Sequence, residues 1–158
     1  MLTTAQLQTL KTAILADPIL AAFPMNSDGD YAIAELLNLA ATPDFTVWKT
    51  SVECKQLMEN GFVWTAVDAL AVGKARIWDW MASIGTINPS RVNVRQGLAD
   101  AFGAASAMAT AIAPHLKRLA TRVEKLLATG TGTTASPGTM TFESPISYSE
   151  VGQARNLA

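Results

Sequence analysis

The sequence predicts a mainly α-helical protein: a compact helical bundle over residues 1–128, then an extended, flexible C-terminal arm over residues 129–158 holding a short strand and a short terminal helix. Three observations predict this. Apolar residues recur at three- and four-residue steps along most of the first 128 positions. Ser or Thr followed three residues later by Gln or Asp, a helix-start spacing, stands before three of those runs, at Thr3, Ser27 and Thr65. At Ala128 the composition changes: the twelve residues from Ala128 to Thr139 hold three glycines, five threonines, a serine and a proline, a mixture that resists packed helix.

The elements follow in order. Thr3 and Gln6 cap a first helix whose face carries Leu7, Leu10 and Ile14. Asp17-Pro18 ends it, because a residue before proline avoids the helical region. Leu20 and Phe23 pack back on the body. Ser27 and Asp30 start a second helix with Ile33, Leu36, Leu37 and Ala40 as its stripe, closed by Pro43. Phe45, Val47 and Lys49 alternate with polar neighbours, as a short strand or an extended connector would. Ser51 caps a short helix ending at Asn60-Gly61. Thr65 and Asp68 begin a longer one through Trp78 to Gly85. Trp78 and Trp80 fall on different faces of it: either both are core, the favoured reading, or one is core and the other a surface contact. Asn88-Pro89-Ser90 turns the chain into a helix through Leu98 and Phe102 to Gly103. Residues 104–113 are alanine-rich and helical by propensity, and Pro114 either kinks that helix or opens the next. Leu116, Leu119, Val123 and Leu126 form a helical stripe with Arg118, Arg122 and Lys125 largely off it. In the arm, Met140 and Phe142 alternate with polar residues as a short strand, and Ser147 with Glu150 caps a last helix from Tyr148 to Asn156.

At 158 residues the chain suits one domain with a sizeable core. Its mean hydropathy of +0.21 and 49% apolar content exclude a disordered chain. The longest low-charge stretch, Ala101 to Ala113, falls short of the roughly 20 apolar residues that span a bilayer, and Met1 to Gln6 lack the basic and apolar regions of a signal peptide. Synthesis in the cytoplasm and no membrane partner are expected. The net charge of −1 conceals an uneven distribution. Residues 1–73 carry eight acids and three bases, and residues 74–128 carry eight bases and three acids, a net of −5 against +5. Either two solvated faces differ in sign, or the acidic side of one molecule meets the basic side of the next, a head-to-tail contact that closes into a ring when the rotation fits.

No catalytic constellation emerges. Cys54 is the only cysteine and His115 the only histidine, so no disulfide, no metal cluster and no thiol–imidazole pair is expected. Asn26-Ser-Asp28-Gly-Asp30 looks like the front of a calcium loop, but Tyr31 and Leu37 stand where that loop needs glycine and glutamate. Gly130 to Ala135 has dinucleotide-loop spacing yet leaves a helix rather than a strand. Arg118, Arg122 and Lys125, with His115 and Lys117, form a basic face able to touch nucleic-acid phosphates, though phosphate contact needs only charge and reach. In the arm, Met140, Phe142, Ile146, Tyr148 and Val151 are apolar anchors that either insert into a partner, the working expectation, or fold back on this chain. No cofactor is expected.

Three stretches are Phe45 to Thr50, Val72 to Trp78 with Thr86 to Ser90, and Arg118 to Thr133 followed by Ser136-Pro137, Phe142-Glu143 and Ser147-Tyr148. Together they resemble a group of small tailed-bacteriophage proteins made among head and tail morphogenesis functions. Within that class the chain is most similar to head-to-tail connector, or adaptor, proteins. The resemblance implies a non-enzymatic virion protein forming a homo-oligomeric ring, of twelve copies in that family, beneath the portal. It implies the portal and a tail or head-closure protein as partners, with at most incidental DNA contact, after synthesis in the bacterial host cytoplasm. Docking on the portal by residues 129–158 is the expectation, with a folded body left when they are removed. The alternatives are a capsid-decoration or tail-completion protein, and a DNA-binding regulatory or packaging module.

Overall fold

The computed structural model describes residues 1–157; Ala158, the last residue of the expected arm, lies outside them. Among the described residues the protein is mainly α-helical, with ten α-helices and four short strands. The chain divides into two units, residues 1–46 with 119–158 (unit 1) and residues 47–118 (unit 2). The expected division into a body over 1–128 and a free arm over 129–158 is thereby corrected. The arm belongs to the same unit as the first helices, because its apolar side chains complete their core.

In unit 1, α1 (Thr4–Ala16) begins with the Thr3–Gln6 capping box and buries Leu7, Leu10 and Ile14. Asp17 ends it and caps the single turn α2 (Pro18–Ala21), accepting from the Ile19 and Leu20 amides. α3 (Ser27–Asn38) starts one residue earlier than expected, since the Asn26 side chain takes the Gly29 amide. It buries Ile33, Ala34 and Leu37, while Ala40 lies beyond its end and is exposed. α9 (Arg122–Leu127) adds Val123 and Leu127 to the core. α10 (Tyr148–Arg155), opened by the Ser147–Glu150 capping box, adds Val151 and Ala154 and packs against α1 and α3.

In unit 2, β2 (Val52–Glu53) pairs antiparallel with β3 (Thr86–Ile87), Val52 opposite Ile87. Around them lie α4 (Cys54–Glu59), α5 (Trp64–Asp68), α6 (Val72–Ser83), α7 (Val92–Phe102) and α8 (Ala107–Ile112). Phe62, Trp78 and Phe102 form the centre, with ring centroids 5.0 Å (Phe62–Trp78) and 5.4 Å (Trp78–Phe102) apart. Of the two tryptophans expected on different faces, Trp78 is the buried one and Trp80 is 70% exposed.

Three expectations for local structure change. Ser51 is not a cap: α4 starts from Glu53 without a side-chain cap bond. The single helix expected from Thr65 to Gly85 is two, α5 and α6. The stripe expected from Leu116 to Leu126 is broken. Residues Ala113–Leu116 form a 3-10 turn, Lys117–Leu119 form β4, which pairs with β1 (Thr46–Trp48), and helix resumes at Arg122. The Thr121 hydroxyl accepts from the Glu124 amide and the Glu124 carboxylate from the Thr121 amide, restarting the helix two residues after β4. Leu119 is consequently 54% exposed rather than core.

Candidate interaction surfaces

The anchors expected to await a partner are largely spent inside this chain. Met140, Ile146 and Val151 are buried, and Phe142 packs half-buried against the unit 1 core. Asn38 fixes the Ile146 backbone from both sides: its amide nitrogen donates to the Ile146 carbonyl at 2.9 Å, and its oxygen accepts the Ile146 amide at 2.8 Å. Only Tyr148 is exposed, and its ring stacks on Tyr31 with centroids 4.2 Å apart. The expected strand at Met140–Phe142 does not form; an isolated bridge joins Thr129 and Thr139 instead. Releasing Ile146 and Val151 to a partner would first cost about 1.5–3 kcal/mol for each side chain returned to water.

The threonine-glycine stretch is likewise no loose joint. Thr46 donates its amide to the Gly132 carbonyl at 2.7 Å and accepts from the Gly138 amide at 2.8 Å. Between these bonds the Phe45 ring lies against both glycines. A Cβ on Gly132 would stand 2.1 Å from the ring, and one on Gly138 2.6 Å.

Polar clamps hold the last helix. Arg155, whose side chain is 6% exposed, donates to Asp30 Oδ1 at 2.6 Å and to the carbonyls of Pro24 and Phe23. Asp30 and Asn26 are therefore committed to structure, which disposes of the calcium-loop likeness. Glu150 accepts from the Ser147 amide and hydroxyl and from the Leu2 amide. Burial pushes its carboxyl up, but the Ser147 bonds, the chain's amino group and the Leu2 amide outweigh that and hold it below the ordinary glutamate range. A depressed carboxyl contributes stability that is present above its ordinary range and lost as pH falls through the lowered value. The urea midpoint of unit 1, followed by the Tyr31–Tyr148 signal, is expected to fall on acidification. Glu150→Gln should flatten part of that fall. An equal acid dependence in both proteins would refute the assignment.

The basic face is not a free patch. Arg122 pairs with Asp17 at 3.1 Å and Lys125 donates to the Pro43 carbonyl at 2.9 Å. Arg118 is half-buried in β4 and engaged within the chain. At Asp17 the Ile19 amide bond does most to hold the carboxyl below its usual range; partial burial opposes, and the Leu20 amide and Arg122 reinforce. Cys54 is a core thiol: burial pushes it up, and Sγ lies 3.5 Å from the Met81 carbonyl as donor. Its thiolate form is thus disfavoured. His115 is half-buried beside Gly61. No group of three or more His, Cys, Asp or Glu among the described residues is placed to hold a metal ion. No helix there is long and apolar enough to cross a membrane.

What remains open to a partner is different from what the sequence marked. Trp64, Val72, Trp80 and Ile84 of unit 2 are each 60% or more exposed. In unit 1, Phe23, Ala32, Glu35, Leu36, Asn38 and Leu39 line an open groove of about 620 Å³ along α3. A cleft of about 160 Å³ beside Trp48 is lined by Arg95, Leu98, Ile112 and alanines. The Trp48 ring lies 4.7 Å from the Arg95 guanidinium and 5.0 Å from Lys117 Nζ. The charge division also tracks the fold: unit 1 carries eight acids and four bases, a net of −4, and unit 2 five acids and eight bases, a net of +3. The exposed tryptophans had a sequence signal, since helical spacing separates Trp80 from Trp78 by about 200°. The α3 groove had none, because Phe23 and Leu36 meet only in the fold. No protein-family model, no curated protein and no solved structure matches this chain.

Proposed function

We propose that the chain is a structural, non-enzymatic subunit of a tailed-phage virion that assembles with copies of itself as a connector between head and tail. The observation that carries this reading is the opposite net charge of the two units, −4 and +3, each with exposed apolar side chains beside its charges. A head-to-tail contact needs two different and complementary surfaces on one subunit, and such contacts generate rings or open chains. The phage-like stretches named above supply the virion context, and a twelve-fold ring beneath the portal is its specific form. Portal docking is assigned to exposed surface rather than to Ile146 and Val151, whose burial opposes release.

Electron microscopy of particles with a labelled subunit tests the reading. Density confined to one vertex between portal and tail is the expected result. Label spread over the shell would replace it with capsid decoration, and label at the tail's far end with tail completion. Particles free of the subunit would reject all three. The DNA-binding alternative loses ground because Arg122 and Lys125 are already engaged.

A further inference from the structure

Two helix faces of opposite sign, one in each unit, carry apolar side chains that no described residue fully covers. On α6 the residues Val72, Arg76 and Trp80 succeed one another at four-residue steps, hence along one face. Val72 is 72% exposed, Trp80 70%, and Ile84 just beyond them 71%. Arg76 is also exposed, and Trp78 is the one residue α6 buries. On α3 the exposed Glu35 stands beside a groove walled by Phe23, Leu36 and Leu39, with Leu39 56% exposed. Among the described residues, no ion pair engages Glu35 or Arg76.

Exposed apolar side chains grouped on one helix mark an interaction site better than a single one does, and Trp and Arg are both among the residue types enriched at interface hot spots. The groove offers apolar walls and one carboxylate. The α6 face offers an indole and, one turn away, one guanidinium. The net charges of the parent units favour approach in the same sense. We propose that α6 of one copy docks on the α3 groove of a second copy, with Trp80 entering between Phe23, Leu36 and Leu39 and Arg76 meeting Glu35. This names the self-contact that the connector reading requires and rests on that reading for the assembly it builds. The contact joins unlike surfaces, so it propagates into rings or chains.

Sedimentation velocity on the purified full chain, across concentration and at low and high salt, reads the contact without reference to virions. Species larger than monomer are expected at low salt, and their dissociation constant rises as salt screens the pair. Trp80→Ser should weaken association about thirtyfold or more. Arg76→Glu and Glu35→Arg should each weaken it about tenfold, and the two together should return most of the loss. All three positions are solvent-exposed, and near-UV circular dichroism checks that each variant stays folded. A monomer at every concentration, oligomers indifferent to these substitutions, or a double reversal no better than the singles would overturn the contact. A subunit found at the portal vertex yet monomeric in solution would overturn the contact and keep the connector. Assembly through Trp80 by a protein missing from particles would do the reverse.

Discussion

Ile146→Ala is expected to lower the stability of unit 1 by about 2–5 kcal/mol, the usual cost of truncating a buried isoleucine to alanine. Ile146 is 3% exposed and shares a core with Leu10, Ile33 and Val151. Its backbone is held twice by Asn38, so the segment cannot easily collapse into the space the side chain leaves. Set against a typical total of about 5–15 kcal/mol, that loss is large. The aromatic residues make the effect separable. Both tyrosines, Tyr31 and Tyr148, are in unit 1 and stack on one another, whereas all four tryptophans are in unit 2. The urea midpoint followed by tyrosine near-UV circular dichroism should therefore drop, and hydrogen exchange of the α10 amides should quicken. An unchanged midpoint would mean the arm is only laid on the surface. Truncation before Ile146 carries the same logic further: a well-folded unit 1 is not expected without Ile146, Val151 and the Arg155 clamp.

The parts legible in the sequence were those whose cause spans a few residues. Thr3 with Gln6 and Ser147 with Glu150 are capping boxes because one hydroxyl and one side-chain oxygen or carboxylate three residues apart satisfy each other's backbone donors, and nothing distant is needed. Asp17-Pro18 stops a helix for an equally local reason. The same spacing at Thr121 and Glu124 lies hidden inside an apparent leucine stripe running from Leu116 to Leu126. Periodicity weighed every leucine as core, but β4 turns Leu119 outward and the cap decides where helix resumes. Beyond its terminal helix, whether the arm folds back or awaits a partner was not legible. Its composition is that of a linker, and it is ordered by Phe45, more than eighty residues earlier in the chain. Alternating Met140 and Phe142 read as a strand because a period of two cannot tell a paired segment from an extended one packed on helices. For the candidate surfaces, sequence spacing separated Trp80 from Trp78, but charge counting drew the boundary at residue 73. The fold moves it to the two crossings near residues 46 and 118, because the last forty residues return to the first unit.

Gly138→Ala and Gly132→Ala are each expected to destabilise unit 1, by about 1–3 kcal/mol for overpacking against an aromatic ring. Gly132 carries an added cost of about 1 kcal/mol, because its φ of +67° lies where a Cβ is strained. The new methyl at 138 would sit 2.6 Å from the Phe45 ring and 3.0 Å from the Thr129 carbonyl oxygen, and that at 132 only 2.1 Å from the ring. The backbone beside Phe45 is pinned by two bonds, from the Thr46 amide to the Gly132 carbonyl and from the Gly138 amide to the Thr46 carbonyl. A double-mutant cycle isolates the cause. Phe45→Ala alone loses the packing of its half-buried ring. In that background Gly138→Ala should become nearly neutral, giving a coupling of about 1–3 kcal/mol. Gly132→Ala should be rescued only in part, since removing the ring leaves its backbone strain in place. The two glycines thus respond differently to the same second mutation, and thermal or urea midpoints read by the tyrosine signal distinguish them. Strict additivity at both positions would mean that the ring does not fill this cradle in solution, and the arm would then lack the contact that orders its threonine-glycine stretch.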